Sequence, residues 1–283
     1  MQAALAALGA APSAAAQVPA QKAAAPEPAA PATPDAAPAL ATPPATPKAT
    51  PAPAAPAGDP ELTVVLEAHL RWDKSAGPKQ KLACIAINDD TQRRVTEAGP
   101  SRVLANLTNP KALAALVALR AGGSRATFFG CMADASAGRG LMLGVVEPAA
   151  RPLDPNGVLP HLEHYGTKGK RVLTIGDDVD AFISLRQALT RSGMSVSMAW
   201  NGKQAVELMP MVRPHLVVLD LALAAADAAP VLALVASSTP NPITVLLPGP
   251  KDAAPTFVKA LEGAGQPATL SHLLQQLKEP EKS

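Results

Sequence analysis

Short unbroken apolar runs recur through residues 79–283, each bounded by turn residues and separated from the next by a stretch of helical period. The runs are LACIAI (82–87), RVLANL (102–107), ATFFGCM (126–132), RVLTI (171–175), MSVSMAW (194–200), HLVVLDL (215–221) and ITVLL (243–247), with Gly144-Val145-Val146 leading towards one more. A strand buried on both faces reads as such a run. Helical segments close at Gly99, at Gly122-Gly123, at Gly193 and at Pro210. Arg151-Pro152-Leu153-Asp154-Pro155 opens another that reaches Tyr165, and residues 180–191, 228–236 and 269–277 are further helices. Strand–helix alternation of this kind predicts an α/β fold with a doubly wound parallel sheet. Residues 251–265 carry no clear period. Near the start of this region Asp59-Pro60-Glu61 is a helix-start signal, and Leu62, Val65, Leu66 and Leu70 share a helical face, so a helix is expected there. The alternation of Leu62, Val64 and Leu66 also permits a strand.

Composition sets the organisation around this core. Residues 1–58 hold 26 Ala and 13 Pro without period. Such a segment buries too little apolar surface to offset chain entropy, and Pro-rich stretches act as semi-rigid spacers. A disordered tether over 1–58 is expected, followed by two tandem domains, 59–165 and 166–283. A chain that opens on a spacer is expected either to continue a module upstream or to start at another codon. The net charge of +2 argues against nucleic-acid partners, which call for a strong basic excess. The longest apolar stretch, 216–236, is broken by Asp220, Asp227 and Pro230, so no membrane insertion is expected. The first residues lack a positive n-region and read as low complexity rather than a signal peptide. Cys84 and Cys131 lie far apart within apolar runs, without metal-ligand or disulfide spacing, and fit a reducing, cytoplasmic setting.

The two halves repeat one another. LACIAINDD corresponds to VLTIGDD, RVLANL to LVVLDL, and RPLDPNGVLPHL to QPATLSHLLQQL. These segments resemble the receiver domain of bacterial two-component response regulators, which has a flavodoxin-like fold. In that family an acidic pair after the first strand and a phosphoacceptor Asp ending the third together hold Mg²⁺. A Thr or Ser ends the fourth strand, and a Lys-Pro follows the fifth. The carboxylate attacks phosphorus, the metal neutralises the transferring group, and the Lys and hydroxyl read the phosphoryl.

The resemblance implies Asp220 as candidate phosphoacceptor and Asp177, Asp178 and Asp220 as candidate Mg²⁺ ligands. The departures point the other way. Gly176 stands where one acid of the pair belongs, Leu247 at the hydroxyl position and Gln266 (before Pro267) at the Lys. Leu cannot hydrogen-bond, and Gln cannot form a charge-assisted pair, which is about twice as strong as a neutral one. In the first half Asn88 and Asp89 take the acidic pair, Asn106 the acceptor and Arg151 the Lys. A neutral amide gives no acyl phosphate. A strand–helix unit is also missing between Gly99 and Val103.

Plainer roles compete with these. Asp177 and Asp178 suit a helix N-terminus, where an acid gains roughly 0.3–1 kcal/mol, and Asp220 suits a solvated strand end. The five His share no ligand spacing, and no nucleophile–His–acid arrangement is visible. The reading adopted is a non-enzymatic signalling module: tandem pseudo-receivers that bind a histidine kinase or a downstream regulator, need no cofactor and can form a homodimer. Phosphorylation of Asp220 is the alternative, and a small-molecule-binding domain on the same fold is a further one. Limited proteolysis is expected to leave a stable fragment starting near Asp59; a protected fragment that keeps residues 20–50 would contradict the tether.

Overall fold

The computed structural model describes residues 59–277 except 60, 68, 69, 79 and 135. The expected tether over 1–58 lies outside the described residues. In chain order the elements are β1 (Thr63–Leu66), α1 (Leu70–Ser75), β2 (Leu82–Ile85), α2 (Thr91–Ala98), β3 (Arg102–Asn106), α3 (Ala112–Ala121), β4 (Thr127–Asp134), β5 (Arg139–Pro148) and α4 (Pro155–Glu163). There follow β6 (Arg171–Ile175), α5 (Val179–Arg191), β7 (Ser195–Ala199), α6 (Gly202–Val212), β8 (Leu216–Asp220), α7 (Ala225–Ser237), β9 (Ile243–Leu247), α8 (Ala254–Gly263), β10 (Ala268–Thr269) and α9 (Leu270–Gln275).

One sheet runs through both halves in the order β2-β1-β3-β4-β5-β9-β8-β6-β7, with β10 paired to β5. Each end repeats the arrangement second, first, third, fourth, which is the flavodoxin-like order. All pairings are parallel except β4 with β5 and β10 with β5. Helices cover both faces, as the continuous apolar strands require. Val95, Leu116, Ala205, Leu232 and Phe257 place α2, α3, α6, α7 and α8 on one face. Trp72, Leu162, Leu185 and Leu273 place α1, α4, α5 and α9 on the other. The fold is α/β and flavodoxin-like.

Four local expectations are corrected. Residues 63–66 form a strand, not a helix: all four are buried, with Val64 and Leu66 in the core of one face and Val65 in that of the other. A helix at a surface buries one stripe only. That strand fills the gap noted between Gly99 and Val103, hydrogen-bonded between β2 and β3, so LACIAI is the second, edge strand rather than the first. The run into Gly144 is antiparallel to β4. A tight turn joins them, in which Asp134 Oδ1 accepts from Ser136 N at 2.9 Å and Ala137 N at 3.1 Å. No room is left for the dozen or more residues of a parallel crossover. Residues 251–265, which showed no period, contain α8, started by Pro255 in its first turn.

Strand β5 serves both halves. Its beginning pairs with β4 and β10, while Val146, Glu147 and Pro148 pair in parallel with Thr244, Val245 and Leu246 of β9. Helix α4 then packs on α5. The chain's end makes the return journey: Ala268 pairs with Gly140, and α9 packs on α1. Gln80 Nε2 donates to the Leu274 carbonyl at 3.2 Å, and Arg102 Nη1 to that of Leu277 at 3.4 Å. Each half thus receives its fifth strand–helix unit from beyond the expected 165/166 boundary. The division into 59–165 and 166–283 leaves each exchanged piece in the half that it does not complete.

Burying Leu270, Leu273, Leu274 and Leu277 stabilises this closure by about 1.5–3 kcal/mol each. Separately expressed 59–165 and 166–283 are expected to lack cooperative thermal unfolding and to regain it on mixing, and Leu273→Ala in the whole chain to cost about 2–5 kcal/mol. Two independent sharp transitions from the separate fragments would contradict the exchange.

Candidate functional site at the carboxyl edge of β8

Asp220 closes β8 at the carboxyl edge of the second half's strands, where doubly wound folds place their ligands. It is 1% exposed. One carboxylate oxygen, Oδ1, accepts from the Ala222 backbone N–H at 2.7 Å and pairs with Nη2 of Arg151. Arg151 follows β5, and its Nε also donates to the Pro248 carbonyl. The peptide bond from Arg151 to Pro152 is cis. The cation at the acceptor position is therefore Arg151, and the assignment of Gln266 to that role is corrected. Gln266 is exposed and precedes β10, which is hydrogen-bonded to Arg139 and Gly140 at the opposite end of β5. The exchange of fifth units is the physical reason: Arg151-Pro152 follows the first half's strands but sits at the second half's edge, and Gln266-Pro267 follows the second half's strands but opens β10 beside the start of β5.

Gly176 directly follows β6, beside Asp220. A Cβ there would meet two ring carbons of Phe182 at 2.5 Å and Asp220 Cβ at 3.1 Å. Phe182, on the first turn of α5 and 1% exposed, thus fills the space of the missing acid. Asp177 is exposed. Asp178 caps α5, accepting from Ala181 N at 3.1 Å. Leu247 pairs with Asp220 in register and is 1% exposed, so an apolar side chain stands where a hydroxyl would face the site. The residues present do not fit Mg²⁺. Among the described residues no group of three or more His, Cys, Asp or Glu side chains gathers to hold a metal, and the buried carboxylate already holds a guanidinium.

The first half's site is built differently from expectation. Asn88 and Asp89 are exposed in the turn into α2, where Asn88 N donates to Thr91 Oγ1 at 2.7 Å. They follow an edge strand. The acid that follows the true first strand is Glu67, which the sequence reading missed; its signal is the run Val64-Val65-Leu66 ending in an acid. Glu67 Oε2 accepts from Asn106 Nδ2 at 3.0 Å and from Trp72 Nε1 at 2.9 Å. Asn106 also donates to the Ala133 carbonyl at 2.9 Å and accepts from Ala133 N and Thr108 Oγ1 at 3.0 and 2.9 Å. Both amide donors and the amide oxygen are satisfied. An Asp at 106 would lose the two donors and face Glu67 as a like charge. Because β4 and β5 are antiparallel while β5 and β9 are parallel, this network and the Asp220 site lie on opposite edges of the sheet.

The cysteines are unremarkable thiols. Cys131 is buried, and Cys84 is half-buried with its thiol donating to Asp73 Oδ1 at 3.0 Å. Burial first, then Asp73, pushes the Cys84 pKa up to about 12, away from the reactive thiolate.

The fold and the strand-end site are receiver-like, and the chain is similar over part of its length to two curated regulators. The chain is 37% identical over 82 residues to the transcriptional regulatory protein PrrA of Mycobacterium leprae, covering 29% of this chain and 35% of that protein. It is 29% identical over 113 residues to the response regulator MprA of Mycolicibacterium vanbaalenii, covering 38% of this chain and 48% of that one. The chain thus spans less than half the length of these curated relatives. No family model matches it. A solved complex of VinN with L-aspartate aligns with 74% of this chain and 62% of its own at 12% identity, but its TM-score of 0.26 carries no argument. No helix among the described residues is long and apolar enough to cross a membrane.

Gly176→Asp is expected to cost about 1–3 kcal/mol through overpacking against Phe182, with part regained when Phe182→Leu is added. Urea unfolding of the single and double variants checks this, and an unchanged midpoint for Gly176→Asp would contradict the packing.

Proposed function

We propose that this chain is a non-enzymatic signalling module, a pair of interlocked pseudo-receivers that acts by binding another protein. The observation that carries the reading is the Arg151 guanidinium on Asp220. A point-like Lys can leave a carboxylate to pair with an incoming phosphoryl; the planar guanidinium holds its acceptor by directed donors and is anchored again at the Pro248 carbonyl. With Gly176 and Leu247 alongside, Asp220 has neither the second acid nor the hydroxyl that phosphoryl transfer uses. In the first half Asn106 supplies no nucleophile. A protein partner is further supported by Val179, Ile183 and Trp200, which are 50%, 41% and 37% exposed around the carboxyl ends of β6 and β7. Relatives that are response regulators make a histidine kinase or a downstream regulator the natural partner, in the cytoplasm, with self-association as a second mode.

Nuclear magnetic resonance of the whole chain with Mg²⁺ and acetyl phosphate or beryllofluoride tests the reading. No chemical-shift change around Asp220 is expected. A clear response there, lost in Asp220→Asn, would instead establish a working phosphoacceptor.

A further inference from the structure

The second half carries opposite charges at its two ends. Loops 166–170, 192–194 and 213–215, which lead into β6, β7 and β8, hold no acid. Lys168, Lys170, Arg171, Arg191 and Arg213 gather there, at the amino edge of three parallel strands. Arg171 Nε and Nη2 donate to the Val212 and Arg213 carbonyls at 2.7 and 2.8 Å, which holds the 213–215 loop against β6. A Cβ on Gly193 would lie 3.7 Å from Lys168 Cγ, so the first two loops touch. Among the described residues none of the five cations is in an ion pair. Burial first, then Arg171 and Lys170, holds the pKa of His215 in the same cluster below the ordinary imidazole value. Met211, on the last turn of α6 just ahead of Arg213, is 79% exposed.

The carboxyl edge of the same strands is the reverse. Asp177, Asp178 and Asp180 are exposed at the start of α5, and among the described residues none of them is in an ion pair. Lys203 and Lys251 offset part of this charge. Val179 and Ile183, on the first two turns of α5, and Trp200, after β7, are the exposed apolar side chains of this edge. The helix dipole accounts for the acids at the start of α5 and for Arg191 at its end. It accounts neither for the three cations in the loops nor for the apolar side chains beside the charges. Apolar groups within a charged rim mark a surface for association.

We propose that these two edges bind each other between copies of this chain, the basic amino edge of one on the acidic carboxyl edge of the next. A copy displaced along the strands brings the start of β6 over the end of β6, and the last turns of α5 and α6 over their first. Lys170 and Arg171 then approach Asp177, Arg191 approaches Asp180, and Met211 approaches Trp200. Opposite potentials on the two faces steer the encounter and fix its orientation, and the apolar side chains of both edges are covered. The contact joins unlike surfaces, so it is heterologous and leaves each end free to add a third copy. It rests on the self-association included in the function proposed above and gives it a geometry; it does not depend on the chemistry at Asp220, which the phosphoryl-analogue experiment tests separately.

Sedimentation velocity of the whole chain tests this. The weight-average mass is expected to rise with concentration past that of a dimer. The association should weaken at least about tenfold between about 0.1 and 1 M NaCl, where the Debye length falls from about 10 to about 3 Å. Two variants at exposed positions separate the edges: Lys168→Glu with Arg213→Glu, and Asp177→Asn with Asp180→Asn. Each alone should stay monomeric where the parent associates, while still unfolding cooperatively on heating. An equal mixture should form dimers and nothing larger, because each variant supplies the edge that the other lacks. A parent chain that stays monomeric at the highest attainable concentration would overturn the proposal. So would a parent that stops at dimers, association that survives in either variant, or a mixture that stays monomeric. If a monomeric parent instead shifts its Lys168 and Arg213 amides with an oligoglutamate peptide, the basic edge serves a different acidic protein and the proposal falls.

Discussion

Strand β5 is hydrogen-bonded into both halves of the molecule, and most other features follow from that. Its first residues run antiparallel to β4, its last three parallel to β9. A strand that changes partners along its length joins the two halves in one sheet and sends their carboxyl edges in opposite directions. It also makes α4 a helix of the second half, though it precedes that half in sequence. The first half is then left with an uncovered face over α1, which the last helix of the chain fills. At the seam the buried Arg120–Glu147 pair ties α3 to β5. Burial raises the Glu147 pKa, opposed by Arg120. Such a pair adds little net stability against an apolar substitute, but losing one partner costs about 3–5 kcal/mol, so it specifies this joining more than it strengthens it.

The same exchange decides the chemistry at Asp220. A receiver-type acid site depends on a cation carried by the fifth strand's loop, and here that loop comes from the first half of the sequence. It brings an Arg. The guanidinium, the phenyl ring of Phe182 and the side chain of Leu247 occupy the surroundings that a metal, a second acid and a hydroxyl would need. In the other half an amide takes the acceptor position and is fully hydrogen-bonded to Glu67, Ala133 and Thr108. At both strand ends the polar groups present satisfy each other. That balance supports the protein-binding role proposed above.

The apolar runs made the strands legible, because a strand covered on both sides needs no polar residue along its length. Most helices were legible from their Gly and Pro stops. Residues 62–70 were not, since four apolar residues fit a helical stripe as well as a central strand, and only the neighbours β2 and β3 decide between them. Missing that strand hid Glu67 and shifted the acidic pair onto Asn88 and Asp89. Asp220, Gly176 and Leu247 fall at adjoining strand ends because β6, β8 and β9 are neighbours in the sheet. Arg151 and Gln266 were named and assigned to the wrong halves. No local pattern records that two β–α units have traded places; it is a property of long-range packing alone.

A double-mutant cycle between Arg151 and Asp220, read by urea unfolding of the whole chain, tests the central claim most directly. Arg151→Ala, Asp220→Ala and the double variant isolate the pair from each residue's other contacts. With Asp220 buried and Arg151 delivered across the sequence boundary, a coupling of about 1–3 kcal/mol is predicted, the range for residues in direct contact. Additive effects, with no coupling beyond about 0.3–0.5 kcal/mol, would mean that β5 and α4 do not complete the second half and that Arg151 does not hold Asp220.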